Sequence, residues 1–221
     1  MEPLKLIRAV IFDLDGTLLN SIGDIAACAN EVLASFGYPT VPVERYRAYV
    51  GDGLTNLCRK VLPPNHSDDE VVSVFLERYR SLYRAKWRNT TTVYAGVPEL
   101  LTQLEQRGIL LAILSNKSDD FTKVCVAEML PAWTFAQVVG ASDNSPIKPH
   151  PGGALRIAAQ LGLSSAECLF VGDSEIDAET ARRAGMPFVG VEWGFRTHAQ
   201  LAHAGATSII AAPLQLLSFL G

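Results

Sequence analysis

Two aspartates, Asp13 and Asp15, stand two residues apart where the apolar run IRAVIF (7–12) stops, with Gly16 and Thr17 directly behind them. A carboxylate at the end of a buried strand is costly unless something binds it. A turn at Gly16 lets two acids at this spacing meet one substrate from different directions. One can act as a nucleophile through a covalent aspartyl intermediate. The other can protonate a leaving oxygen and afterwards deprotonate water, since like-charge proximity favours different protonation states for the pair. The competing explanation is a local turn whose acids bond only to nearby backbone.

More residues of the same kind follow apolar runs elsewhere. Asp173 and Asp177 lie in GDSEID (172–177), after CLFV. Helix capping accounts for part of that segment, because Ser174 and Asp177 have capping-box spacing and Asp173 can cap an N-terminus. Several carboxylates at one sheet edge repel unless a cation joins them, and all-oxygen ligation suits Mg²⁺. Such an ion would also let an anionic carboxylate approach an anionic phosphoryl group. Ser115 and Asn116 end the run ILLAILSN (109–116) and can offer hydroxyl and backbone N–H donors. Lys148 in IKPHP (147–151) can supply a fixed positive charge from a loop stiffened by Pro149 and Pro151. A lone lysine before proline is ordinarily a solvated surface residue, so Lys148 gains its weight from the other four positions.

The elements that must carry these residues follow a repeated rhythm. Short continuous apolar runs, IRAVIFD, ILLAILSN, AQVVGA, CLFVGD and FVGVEW, alternate with amphipathic stretches. Continuous rather than alternating hydrophobicity predicts strands covered on both faces, hence a parallel sheet with helices between strands. Helices are expected over 97–107, 118–129, 152–161, 174–184 and 196–204, four of them stopped by Gly108, Gly162, Gly185 and Gly205. In open parallel sheets ligands sit at the carboxyl ends of strands, where Asp13, Ser115 and Asp173 fall. Between the first and second runs, residues 18–109 exceed what one crossover helix requires. Helical patterns over 24–36, 43–49, 53–61 and 67–87, punctuated by Pro39, Pro42, Pro63 and Pro64, predict an inserted helical domain. An ordinary α/β layer with several small helices is the rival reading.

Composition narrows the class. With 221 residues, 48% hydrophobic and 19% charged, the chain can bury a substantial core. A formal charge of −4 argues against a broad nucleic-acid surface. Cys28, Cys58, Cys125 and Cys168 are scattered without CxxC spacing, which predicts reduced buried thiols rather than a zinc or redox site. Glu2, Lys5, Arg8 and Asp13 break any signal-peptide core, and the apolar tail SIIAAPLQLLSFL is too short to span a bilayer. The expectation is a cytoplasmic protein without a membrane partner.

Taken in order, DLDGT (13–17), strand-terminal Ser115, Lys148 in IKPHP and GDSEID resemble the four motifs of the haloacid-dehalogenase superfamily of phosphohydrolases. The resemblance spans essentially the whole chain. It implies an α/β fold: a Rossmann-like parallel-sheet core over 1–17 and 94–221, with a small α-helical cap domain over 18–93. It also implies Mg²⁺ and a phosphoaspartate mechanism. Asp13 would be nucleophile and metal ligand, and Asp15 general acid/base whose backbone carbonyl also reaches the metal. Ser115 would be a phosphate donor, Lys148 the charge stabiliser, Asp173 a metal ligand, and Asp177 a further acid acting through water or Lys148. Thr17 would help to position the first loop. YVGDGLTNL (49–57) resembles the cap loop of phosphoglycolate phosphatases, which implies substrate contacts at Gly51, Asp52 and Gly53; a plain helix-to-helix turn is the alternative. Asn20 stands where many relatives have aspartate, and the pattern SRE expected of mutase relatives is absent. Arg196 and His150 are left outside the site.

The expected substrate is a small phosphorylated metabolite, with phosphoglycolate leading. Pyrophosphate, sugar phosphates and nucleotides remain open, as does a non-catalytic phosphate-binding protein. Residues 18–22 and 90–96, where the insertion joins the core, are the expected hinges.

Overall fold

The computed structural model describes residues 7–142 and 145–220; Glu2 and Lys5, which bear on the leader reading, lie outside them. The chain divides into two compact units, Met1–Leu19 with Val93–Gly221, and Asn20–Thr92.

In the first unit the apolar runs become strands: β1 (Ala9–Phe12), β4 (Leu110–Ser118), β5 (Phe135–Ala141), β6 (Cys168–Gly172), β7 (Phe188–Val191) and the short β8 (Ile209–Ile210). They form one six-stranded sheet in the order β5-β4-β1-β6-β7-β8, parallel at every pairing. Every residue of β1 and β6 is buried, as expected when helices cover both sheet faces. Those helices are α5 (Val97–Gln106), α6 (Asp119–Met129), α7 (Gly152–Gln160), α8 (Glu175–Ala184) and α9 (His198–His203). The core joins Ile11, Leu114, Ile157, Phe170 and Ala181 from β1, β4, α7, β6 and α8. Burying each large side chain contributes roughly 1.5–3 kcal/mol.

The chain steps from β1 to β4 and β5 on one side and returns to β6, β7 and β8 on the other, so β1 is the switch point where such folds bind ligands. Phe12 is level with both Ile113 and Val171. Register alone therefore brings Asp13, Ser115 and Asp173 to one edge. The apolar tail yields β8 and a 3₁₀ turn at Pro213–Phe219 packed on α5; β8, two residues long, is too short to leave a periodic signal. Among the described residues no helix is long and apolar enough to cross a membrane.

The second unit is helical: α1 (Ile22–Ser35), α2 (Val43–Tyr49), α3 (Leu54–Val61) and α4 (Asp69–Lys86). It is entered through β2 (Leu19–Asn20) and left through β3 (Thr92–Val93), which pair as a two-stranded sheet. Phe75, Tyr79 and Tyr83, spaced i, i+4, stack down one face of α4 with centroids 6.3 and 5.3 Å apart. Asp68 caps α4 by accepting from the Val71 N–H at 3.0 Å. Buried Asp24 on α1 accepts from the backbone and hydroxyl groups of both Thr90 and Thr91 at 2.7–3.1 Å. This carboxylate fastens the outgoing end of the insertion to its first helix.

Replacing Asp24 with Ala strands the Thr90 and Thr91 N–H groups and the Thr90 hydroxyl, while the Thr91 hydroxyl keeps the Trp87 carbonyl at 2.6 Å, and should lower unfolding free energy by about 2–3 kcal/mol in urea titration. A change below about 0.5 kcal/mol would contradict this role. All four cysteines are buried and unpaired as thiols; burial pushes Cys28 and Cys168 up to about 11, and Cys58 and Cys125 to about 12. Ellman's reagent at about pH 8 should therefore release almost no thionitrobenzoate from native protein and react fully after unfolding.

Candidate active site

Asp13 directly follows β1 and is held there by its N–H, which donates to the Val171 carbonyl at 2.9 Å. Its Oδ1 accepts from Lys148 Nζ at 2.6 Å, and the same ammonium donates to Asp177 Oδ1 at 2.7 Å. Lys148 is thus a buried bridge between two acids rather than a solvated surface residue. The Asn116 side chain clasps the Lys148 backbone in both directions, Nδ2 to its carbonyl at 2.9 Å and Oδ1 from its N–H at 2.8 Å. The Asn116 side chain thus braces the lysine loop, which leaves its backbone N–H as the donor expected of it.

After Asp13 the chain turns tightly. The Leu14 carbonyl accepts from the N–H groups of Thr17, Leu18 and Leu19, and Gly16 adopts φ 96°. A Cβ at Gly16 would sit 2.3 Å from Asp173 Oδ2, so glycine is required both by conformation and by space. Thr17 is buried, and its Oγ1 has no hydrogen-bond partner among the described residues. Its carbonyl accepts from Trp193 Nε1 at 3.0 Å.

Asp173 follows β6 and does not cap α8; Ser174 does, with Asp177 completing the capping box. Asp177 Oδ2 accepts from the Ser174 hydroxyl at 2.6 Å and its N–H at 3.1 Å, so its two oxygens serve the cap and Lys148. Asp173 Oδ2 accepts from the Phe195 N–H at 2.6 Å. Gly194 fits closely here, since a Cβ would lie 2.3 Å from Asp173 Cβ.

The carboxylates of Asp13, Asp173 and Asp177 offer oxygens all within 4.8 Å of one another, each residue buried. The Asp15 carboxylate stands apart, paired instead with Lys117 Nζ at 3.0 Å. Burial pushes Asp13 up to about 7, against the opposing pull of Lys148 and with the repulsion of Asp177. Burial, then Asp13 and Asp177, hold Asp173 well above the usual carboxylate range despite the Phe195 N–H. Burial by itself would lower Lys148, but its two carboxylate partners outweigh that and raise it. Three acids around one ammonium leave uncompensated negative charge in a low-dielectric place. The donor set, all oxygen and in excess of its counter-charge, fits a hard divalent cation.

Ser115 is buried at the same edge, its Oγ accepting from the Lys117 N–H at 3.2 Å. Asp13, Asp15, Thr17, Ser115, Asn116, Lys148, Asp173 and Asp177 thus come together in the first unit. Gly51, Asp52 and Gly53 belong to the second, on the turn between α2 and α3, where Gly51 and Gly53 have φ 121° and 82° and Lys60 Nζ lies 3.6 Å from Asp52. Arg196 pairs bidentately with Glu175 at 2.8 and 3.0 Å, and His150 Nδ1 accepts from the Gly152 N–H. Sequence reasoning missed Lys117 and the 193–195 loop. A signal existed for both: Lys117 is two residues beyond Ser115, and FVGVEW also ends at the carboxyl edge.

Haloacid dehalogenase-like hydrolases match this chain over residues 10–191. A phosphoglycolate phosphatase of Pseudomonas savastanoi pv. phaseolicola is 33% identical over 210 residues, covering 93% of this chain and 77% of that protein. A phosphoglycolate phosphatase of Xanthomonas campestris pv. campestris is 33% identical over 193 residues, 86% of this chain and 85% of its own. A crystal structure from Lactobacillus delbrueckii subsp. bulgaricus superposes with TM-score 0.91 at 28% identity, over 98% of this chain and 100% of that one. A haloacid dehalogenase-like family hydrolase from Streptococcus pneumoniae shares the fold with TM-score 0.87 at 24% identity, over 97% and 99%.

The raised Asp13 carboxyl has a thermodynamic sign. The folded state holds a proton that the unfolded state, with an ordinary value of 3.8, has released. Stability of the cation-stripped protein should therefore fall as pH rises from about 4 to about 7. Melting in EDTA checks this, and added Mg²⁺ should raise Tm more at pH 8 than at pH 5; a Tm rising with pH throughout that window would contradict it.

Proposed function

The chain belongs to the haloacid dehalogenase-like hydrolases, and we propose that it is a Mg²⁺-dependent phosphomonoesterase that works through an aspartyl-phosphate on Asp13, with 2-phosphoglycolate as substrate. The observation that carries the chemistry is the Asp13–Lys148–Asp177 bridge beside Asp173 at the switch point of the sheet. The substrate rests on relatives that carry the name phosphoglycolate phosphatase over most of this chain's length.

Asp13 and Asp173, with the Asp15 backbone carbonyl, would hold the ion, whose charge offsets repulsion between the Asp13 carboxylate and the phosphoryl oxygens. Asp177 acts through Lys148, because its oxygens serve that ammonium and the α8 cap. In the first half-reaction an Asp13 oxygen bonds to phosphorus as the ester P–O bond breaks, and Asp15 gives its proton to the leaving oxygen. In the second, water attacks phosphorus, Asp15 takes its proton, and the Asp13–phosphorus bond breaks to release inorganic phosphate. Ser115, the Thr17 hydroxyl, backbone N–H groups at 115–116 and the Lys148 ammonium are the donors for the phosphoryl oxygens. The buried Thr17 Oγ1, without a partner among the described residues, suits that part. Gly51, Asp52 and Gly53 are assigned to substrate contact from the helical unit, which serves as the cap.

Asp13→Asn should cut kcat by roughly 10³-fold or more while leaving the melting curve folded, and EDTA should silence the wild type until Mg²⁺ returns. A panel of 2-phosphoglycolate, pyrophosphate, sugar phosphates and nucleotides at fixed Mg²⁺ should rank phosphoglycolate first by kcat/KM. Full activity of Asp13→Asn would refute the covalent route. A higher rank for another panel member would reassign the substrate, and no hydrolysis of any member would favour a binding protein.

A further inference from the structure

Lys117 lies at the carboxyl end of β4, two residues beyond Ser115. Its ammonium is 3.0 Å from Asp15 Oδ1 and 5.7 Å from the centroid of the Phe121 ring. The two side chains are only 9% and 13% exposed, so water screens their attraction weakly. The Lys117 N–H donates to Ser115 Oγ at 3.2 Å, which ties this lysine to the residue assigned to the phosphoryl group. Lys148 meanwhile bonds Asp13 and Asp177. The acids of the first motif are thus divided between two lysines, each acid with its own ammonium.

We propose that Lys117 is a positioning residue for Asp15: by pinning Oδ1 it fixes where the other carboxyl oxygen points, toward the leaving oxygen and then toward the attacking water. This rests on the aspartyl-phosphate reading. As the ester bond breaks, its electron pair goes to the leaving oxygen, which takes the Asp15 proton and departs as an alcohol. When water attacks the aspartyl-phosphate, its proton goes to Asp15 and the electron pair of the breaking bond returns to Asp13. Both transfers use one carboxyl group that must face the same side each time. Three acids cluster nearby, and without Lys117 the Asp15 carboxyl would turn away from them into other rotamers. Misplacement of a reacting group by about 1 Å costs on the order of 10²-fold.

The test separates proton delivery from general damage by varying the leaving group. Ethyl phosphate needs a proton on departure; p-nitrophenyl phosphate does not. In Lys117→Met, kcat/KM for ethyl phosphate should fall about 100-fold while that for p-nitrophenyl phosphate falls less than about threefold. Lys117→Arg should recover most of the difference. Because both substrates are measured on one preparation, any misfolded fraction cancels in the ratio. Equal losses with both substrates would overturn the proposal, as would, with 2-phosphoglycolate assayed alongside them, a loss confined to phosphoglycolate, which would make Lys117 a receptor for the substrate carboxylate. The Asp13→Asn control keeps the two ideas apart: its retained turnover sinks the covalent reading, whereas an inactive Asp13→Asn with equal Lys117→Met losses sinks only the role of Lys117.

Discussion

Uncompensated negative charge, gathered where three strands end, is the constraint around which the first unit is arranged. Asp13, Asp173 and Asp177 crowd within 4.8 Å while Lys148 brings one positive charge among them. Such an arrangement is expensive in a folded chain unless every remaining lone pair is met. Much of the surrounding structure does this. The Ser174 cap takes one oxygen of Asp177, the Phe195 N–H takes one of Asp173, and Asn116 holds the Lys148 backbone so that its ammonium reaches two acids. These supports reduce the charge imbalance without removing it, and the raised Asp13 and Asp173 carboxyls are its residue. A site left in that condition is poised for a cation and an anion together.

Space is rationed as tightly as charge. Side chains at Gly16 or Gly194 would strike Asp173, and one at Gly172 would strike Asp177. Three glycines therefore let three separate backbone segments approach the acids more closely than any Cβ permits. The helical unit shows the same economy with a different outcome. Asp24 is as buried as the acids of the site, yet donors from Thr90 and Thr91 satisfy it, and among the described residues it belongs to no cluster of three acids. One buried aspartate is a structural clasp and the others form the proposed reactive group, and what separates them is the company of like charge.

Much of this was legible in the residues. Continuous apolar runs gave the parallel strands, and glycine stops with proline punctuation marked the helices within a residue or two. The acids at positions 13, 15, 173 and 177 drew attention because polar residues ended buried runs. The capping box of Ser174 and Asp177 was legible from its spacing and is present. What local pattern did not reveal was partners rather than position: Lys117 stands two residues beyond Ser115 and Trp193 closes FVGVEW at the carboxyl edge, yet neither lies in a motif that says what it touches. The Asn116 clasp was out of reach for the same reason, since its partner lies 32 residues on.

By itself, then, the sequence determined which residue types stand at strand ends and hence what kind of chemistry the chain could host. Only the tertiary structure decided who pairs with whom: Lys148 with Asp13 across 135 residues, Lys117 with Asp15 across 102. Strand and helix patterns are written over a few residues, where spacing is fixed by the backbone. Distances between acids and ammonium groups are set by the register of parallel strands around β1, and it is those distances that turn scattered charges into a site.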